Sequence, residues 1–119
     1  MDLTATILSE THTTVPEEAR LEGINLLPIL EGQTPEVERN LFWRTRVGNQ
    51  FQCAVRSGDW KLLIDGRATL LFNLDTDIGE RFDMANQRQD IARRLRQLLT
   101  QWEADVDAEA KAFQQGNPQ

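Results

Sequence analysis

A single cysteine, Cys53, and a single histidine, His12, leave this 119-residue chain with little of the usual equipment of reactive sites. One cysteine closes no intramolecular disulfide, and one histidine beside it builds no Cys/His metal cage. No apolar run approaches the roughly 20 residues that cross a bilayer, so no membrane partner is expected. The N-terminus carries neither a basic stretch nor an apolar signal core, and if the protein is exported its signal lies upstream of this piece. Basic residues are outnumbered as well, 13 Lys and Arg against 19 Asp and Glu, for a formal net charge of -6. A phosphate backbone needs a basic face that releases counterions, so no nucleic-acid partner is expected either. Arg81, Arg88, Arg93, Arg94 and Arg96 do gather in one stretch, but acidic residues are interspersed, and the stretch reads as a solvated helix face. No Gly-x-Ser-x-Gly elbow, phosphate-binding glycine loop or His-Glu-x-x-His helix occurs anywhere in the chain.

What is present is a globular composition, 39% hydrophobic and 27% charged with three Trp and five Phe, enough for one modest domain with a small core. Residues 1–10 have Leu3, Ile7 and Leu8 at helical spacing, with Asp2 placed to cap the first turn. A polar connector with Thr13, Thr14 and Pro16 follows. Then comes Gly23-Ile24-Asn25-Leu26-Leu27-Pro28-Ile29-Leu30-Glu31-Gly32, where Asn25 caps a brief helix, Pro28 fits its first turn and Gly32 suits a left-handed stop. The four large aliphatic residues of that helix, Leu26, Leu27, Ile29 and Leu30, require a cover that this chain scarcely supplies.

Residues 41–46, 50–56, 60–64 and 70–74 read as strands separated by Val47-Gly48-Asn49, Ser57-Gly58-Asp59 and Asp65-Gly66-Arg67, three tight-turn sequences. Four antiparallel strands in a meander follow. In the second, Phe51, Cys53 and Val55 alternate with Gln50, Gln52, Ala54 and Arg56, which predicts one buried face and one largely wet. From about Asp90 to Gln114, Ile91, Leu95, Leu98, Leu99, Trp102, Val106 and Phe113 form one stripe at helical spacing. The predicted fold class is α+β: a four-stranded antiparallel sheet covered by a long C-terminal helix. Residues 115–119 read as a frayed tail.

Few side chains suggest chemistry. Asp75, Asp77, Gly79 and Glu80 have the wrong spacing for a calcium loop, which wants glycine sixth and glutamate twelfth, and they read as a turn after the fourth strand. Cys53, mid-strand among apolar neighbours, reads as a small buried hydrophobe with a raised pKa. Arg44, Arg46, Arg56 and Lys61 are the interesting cations, because a guanidinium or ammonium at a strand end holds sulfate or carboxylate oxygens. Surface ion pairing is the competing reading for each of them.

The segments Arg56-Ser57-Gly58-Asp59-Trp60-Lys61-Leu62 and Leu71-Phe72-Asn73-Leu74-Asp75-Thr76-Asp77-Ile78-Gly79-Glu80-Arg81-Phe82-Asp83-Met84-Ala85 together resemble the C-terminal region of the sulfatase family. Met1-Asp2-Leu3, the run from Leu21 to Gly32 and Arg39-Asn40-Leu41-Phe42-Trp43-Arg44 are similar to that family too, in its order, so the resemblance reaches from Met1 to about Val106. It implies that residues 1–35 are the end of a catalytic domain with its connector, and that residues 36–114 are the C-terminal subdomain. The implied partner is a sulfatase catalytic domain missing from this chain, holding calcium and a formylglycine made from Cys or Ser in a Cys/Ser-x-Pro-x-Arg motif. Here Cys53-Ala54-Val55-Arg56-Ser57 has Val where that motif needs Pro and Ser where it needs Arg, so no catalytic residue and no metal ligand is assigned to this chain. Arg44, Arg46, Arg56 and Lys61 are then candidates for the substrate rim. The exposed apolar N-terminal segment is expected to be poorly anchored alone or to associate with another copy. The rival reading is a free-standing binding or interaction module built on the same sheet and helix.

Overall fold

Three glycine-led dipeptides, Gly48-Asn49, Gly58-Asp59 and Gly66-Arg67, set the topology. In the computed structural model, which describes residues 1–16, 19 and 21–116, each closes a two-residue hairpin loop, with Val47 opposite Gln50, Ser57 opposite Trp60 and Asp65 opposite Ala68. The glycine takes a φ of 56 to 59° while its successor does not turn positive, the pattern of a type II′ turn, whose twist matches that of the flanking strands. The strands are β1 (Asn40–Val47), β2 (Gln50–Ser57), β3 (Trp60–Asp65) and β4 (Ala68–Asn73), antiparallel in the order β1-β2-β3-β4. The last strand begins two residues before its apolar run, because the short Gly66-Arg67 loop draws Ala68 and Thr69 into register with Asp65 and Ile64.

The helix α3 (Gln89–Gly116) crosses one face of this sheet. Cys53, Val55, Leu62 and Leu71 from the strands and Leu95 and Leu99 from the helix form the buried core, with Phe42, Trp60, Leu98 and Trp102 packed at its margin. Two positions differ from the predicted stripe. Trp102 is half-buried, its ring stacked on Phe42 with centroids 5.2 Å apart and planes 7° apart. Phe113 is 76% exposed, and the reason is length: 28 residues make a helix of about 42 Å, while four strands spaced at about 4.8 Å offer a platform less than half as wide. The end of the helix, with Phe113, therefore overhangs the sheet. The predicted tail is helical through Gly116, and residues 117–119 lie outside the described residues.

The edge of β4 is closed by the loop that follows it. Asp83 Oδ1 accepts the Leu71 N–H at 3.0 Å and the Ala85 N–H at 2.9 Å, and the Met84 N–H donates to the Leu71 carbonyl at 2.8 Å. Both outward-facing backbone groups of Leu71 are thus satisfied, which removes them as a template for edge-to-edge pairing.

Met1–Val37 forms a unit separate from Glu38–Gln119. Its helix α1 (Asp2–Glu10) ends in a Schellman motif: Thr13 N–H reaches the Leu8 carbonyl, His12 N–H the Ser9 carbonyl, and His12 takes the left-handed φ of 51° that glycine usually fills. The short helix α2 (Leu27–Leu30) ends the same way with Gly32 at φ 71°. The N-cap of α2 is Leu26 rather than the predicted Asn25; Asn25, one residue earlier, accepts the Leu27 N–H through Oδ1 at 3.0 Å, an Asx turn that leads into the helix. Asp2 is not a cap; it lies inside the first turn of α1, and its carboxylate accepts the Ile24 N–H at 3.3 Å instead. Neither helix buries a residue, and Leu3, Ile7 and Leu30 stay exposed.

Candidate functional site

Alternation along the strands divides the four candidate cations between the two faces of the sheet. Arg44 and Arg46 share the helix-covered face with Phe42, Phe51 and Cys53; Arg56 and Lys61 share the opposite face with Trp43, Ala54 and Leu63. One small anion therefore cannot touch all four.

On the helix side, Arg44 is committed. Its Nη1 lies 2.7 Å from Asp107 Oδ1 on α3, and its guanidinium sits 5.9 Å from the centre of the Trp102 ring. Arg44 is mid-strand rather than at a strand end. Arg46 lines a recess of about 460 Å³ with Arg44, Phe51, Glu103 and Asp107. Two carboxylates against two guanidinium groups leave this recess without the positive excess that an anion would need.

On the open side, Arg56 and Lys61 are direct cross-strand partners, and like charges placed opposite one another destabilise a sheet. Glu80 resolves half of the conflict, its Oε1 lying 2.6 Å from Lys61 Nζ. Arg56 donates from Nε to the Gly58 carbonyl at 3.1 Å and meets no carboxylate among the described residues. Glu80 holds a φ of 53°, a left-handed conformation that costs a non-glycine residue about 1 kcal/mol. The strain is borne in a tight loop in which the Glu80 N–H donates to the Asp77 carbonyl at 3.1 Å. Together Trp43, Ala54, Leu63, Leu74 and Ile78 floor a recess of about 450 Å³ rimmed by Arg56, Lys61 and Glu80.

This second apolar face departs from the predicted wet face of β2: Ala54 is buried, and so is Phe72 on β4. The signal was present in the runs Leu41-Phe42-Trp43, Leu62-Leu63-Ile64 and Leu70-Leu71-Phe72. Strands apolar at consecutive positions bury both faces. Glu80 at the rim of this recess comes from the loop after β4 and Asp107 on the other face from α3, and no periodicity in the sequence pairs Glu80 with Lys61 or Asp107 with Arg44.

The residues weighed for other chemistry are occupied structurally. Asp77 Oδ2 accepts the N–H groups of Arg81 and Phe82 at 2.8 and 2.9 Å, and Glu80 is held by Lys61, so the carboxylates of the post-β4 loop shape a turn. Among the described residues no three His, Cys, Asp or Glu side chains gather as metal ligands. Cys53 is buried in the core, and burial, reinforced by Glu103, pushes its thiol pKa above the ordinary value against the opposing pull of Arg96 and Arg44. That favours the inert thiol over the thiolate.

No family model and no curated protein matches the sequence. Solved structures do. Ps i-CgsB in complex with k-i-k-neocarrahexaose superposes with a TM-score of 0.72 at 22% identity, over 85% of this chain and 23% of that one. BT1596, a 2-O GAG sulfatase, gives 0.66 at 22% identity over 93% and 26%. The putative sulfatase yidJ from Bacteroides fragilis gives 0.70 at 15% identity over 89% and 24%. The chain has the fold of a sulfatase C-terminal region. It spans about a quarter of the length of the solved sulfatases it matches. Within that fold the open sheet face, with its paired cations and exposed tryptophan, is the feature to which a function can be attached.

Proposed function

We propose that this chain is the C-terminal part of a sulfatase, a sulfuric ester hydrolase, in which it supports the catalytic domain and lends cations to the substrate rim. The observation that carries the reading is the fold likeness, which takes in nearly all of this chain and only a quarter of neighbours named as sulfatases. Residues 1–35 would close the catalytic domain and connect it to the subdomain formed by 36–114. One neighbour was solved with an oligosaccharide bound and another is named a GAG sulfatase, so a sulfated saccharide is the substrate proposed for the parent.

In that reading formylglycine and calcium held by the catalytic domain would supply the nucleophile and the charge neutralisation, and the part left to this chain's residues would be binding and orientation. Arg56 and Lys61 attract and orient the substrate's sulfate group, since they face the same way and their joint charge is only partly matched by Glu80. Arg46 is the weaker candidate because two carboxylates share its recess, and Arg44 is already paired with Asp107.

The test has two stages. The coding sequence upstream of residue 1 is expected to carry a Cys/Ser-x-Pro-x-Arg motif; a natural start at Met1 would favour the free-standing module instead. In the whole enzyme, Arg56→Ala should raise KM for a sulfated saccharide about tenfold with little change in kcat, the signature of lost binding common to ground and transition states. Unchanged KM in Arg56→Ala and Lys61→Ala would remove these cations from the rim.

A further inference from the structure

We infer that a groove on the outer side of α3, between Arg93 and Ala104, is a second binding site for sulfated polysaccharide, remote from the cations of the substrate rim. The groove has a volume of about 460 Å³ and is lined by Arg93, Arg96, Gln97, Thr100, Gln101 and Ala104. Unlike the recess rimmed by Glu80 and the one rimmed by Glu103 and Asp107, it has no carboxylate in its lining. The reason lies in the sequence. The positions four residues either side of Arg93 are Gln89 and Gln97, and those either side of Arg96 are Ala92 and Thr100, so the i,i+4 ion pairs usual on a solvated helix face cannot form here. Arg93 Nε donates to the Gln89 carbonyl at 3.4 Å, Arg96 Nη2 bonds the Thr69 hydroxyl on β4, and neither enters an ion pair among the described residues. Each guanidinium keeps most of its N–H donors free after these bonds. From Arg88 to Arg96 four arginines meet one acid, Asp90, which lies 3.4 Å from Arg88, an excess of 4 - 1 = 3 positive charges within a chain of net charge -6.

The ligand that fits is a polymer carrying sulfate esters and free hydroxyls. Guanidinium groups hold the oxygens of such anions in a planar fork. Gln97, Thr100 and Gln101 add amides and a hydroxyl that both donate and accept, as sugar hydroxyls require. No aromatic side chain lines the groove, which denies a nucleic-acid strand the stacking platform it uses. From Arg93 to Ala104 the helix runs about 17 Å, too far for one small anion and suited to a chain. The class of ligand rests on the reading of this protein as part of a sulfatase, whose solved neighbours include one with k-i-k-neocarrahexaose bound and one named a 2-O GAG sulfatase; the groove itself rests on α3. Because α3 covers one face of the sheet and Arg56 and Lys61 stand on the other, one sugar unit cannot touch both places. A polymer held at α3 would raise the local concentration of its own sulfate groups at the rim, the gain expected of two linked sites.

Binding of size-fractionated heparin, a sulfated polysaccharide, to the purified chain is measured by calorimetry at low salt, beside chemically desulfated heparin. Wild type should bind heparin with an affinity that falls as salt rises, and should bind the desulfated polymer at least about tenfold more weakly. Arg93→Ala and, separately, Arg96→Ala should each weaken heparin binding about tenfold, the loss of one charge-assisted contact. Arg94→Ala removes the same charge about 100° further around the helix and should bind as wild type. Thermal melting checks that each variant folds, and Arg93, which bonds only within its own helix, keeps the test open if Arg96→Ala does not. An equal loss in Arg94→Ala, or no loss in either groove variant, would overturn the site. Polyaspartate or single-stranded RNA binding as tightly as heparin, and lost in the same variants, would assign the groove to polyanions at large and overturn the saccharide. In the whole enzyme, Arg93→Ala combined with Arg96→Ala should raise KM for the polymer severalfold and leave KM for a sulfated disaccharide unchanged; an equal rise in both would overturn the remote placement. Each of these failures leaves the sulfatase reading standing. That reading fails instead if no Cys/Ser-x-Pro-x-Arg motif lies upstream, and heparin binding by the chain is measured either way.

Discussion

At the scale of single residues, burial separates side chains that the sequence pattern treats alike. Leu99 and Trp102 fall on the same predicted stripe, yet Leu99 is buried in the core while Trp102 is half-buried and held by its stack on Phe42 and by the Arg44 guanidinium. Leu99→Ala should cost about 3 to 5 kcal/mol through lost transfer energy and the cavity left behind. Trp102→Ala should cost less, about 2 kcal/mol, because part of its surface is in water already. Denaturant midpoints of the two variants check the order, and a larger loss for Trp102 would contradict the packing. Cys53 gives a pH prediction whose sign follows from its environment. Its folded pKa is raised above the ordinary 9.0, so its stabilising contribution is whole below about pH 9 and is lost as pH rises through the folded value. Wild type should therefore lose stability more steeply than Cys53→Ala as pH rises above about 9. The native thiol should also react with an aromatic disulfide far more slowly at pH 8 than it does in guanidinium.

At the scale of elements, each strand and helix follows from local sequence, but the length over which it works is decided by its neighbour. The meander is legible in three glycine-led turns, and the helix in its apolar period. Where that helix stops being useful is not: α3 continues through Gly116, while the sheet beneath it meets mainly the stretch from Ile91 to Trp102. Truncation after Glu109 should therefore change the melting temperature by no more than a few degrees, whereas truncation before Leu98 should abolish cooperative unfolding. A large loss on removing the residues after Glu109 would mean that the end of the helix, with Phe113, is packed after all. The same relation explains the cations. Arg44, Arg46, Arg56 and Lys61 were legible as candidates by type, but strand alternation set them on two faces, and Asp107 and Glu80 reached two of them from sequence separations of 63 and 19.

At the scale of the whole molecule, stability is unevenly shared. Met1–Val37 has no buried residue in either helix, while the buried core belongs to Glu38–Gln119. Amides of α1 should accordingly exchange at least about 100-fold faster than those of β2 and β3, and uniform protection in a monomer would show that the N-terminal unit has found a cover. The purified chain should show no turnover of a chromogenic aryl sulfate with calcium present, and calorimetry should detect no calcium binding tighter than about ten micromolar. Turnover above buffer would reveal a site outside the side chains considered. The sequence by itself determined the α+β meander with its covering helix, because turn chemistry and apolar periodicity act over a few residues and need no partner to be read. It also carried, in segments such as Arg56 to Leu62 and Leu71 to Ala85, the resemblance to which the fold corresponds. Only the tertiary structure decided that Phe113 overhangs, that Arg56 and Lys61 stand together and that Arg44 is paired with Asp107. Those outcomes depend on register and on contacts between distant residues, and a local pattern specifies which way a side chain points but not what it meets there.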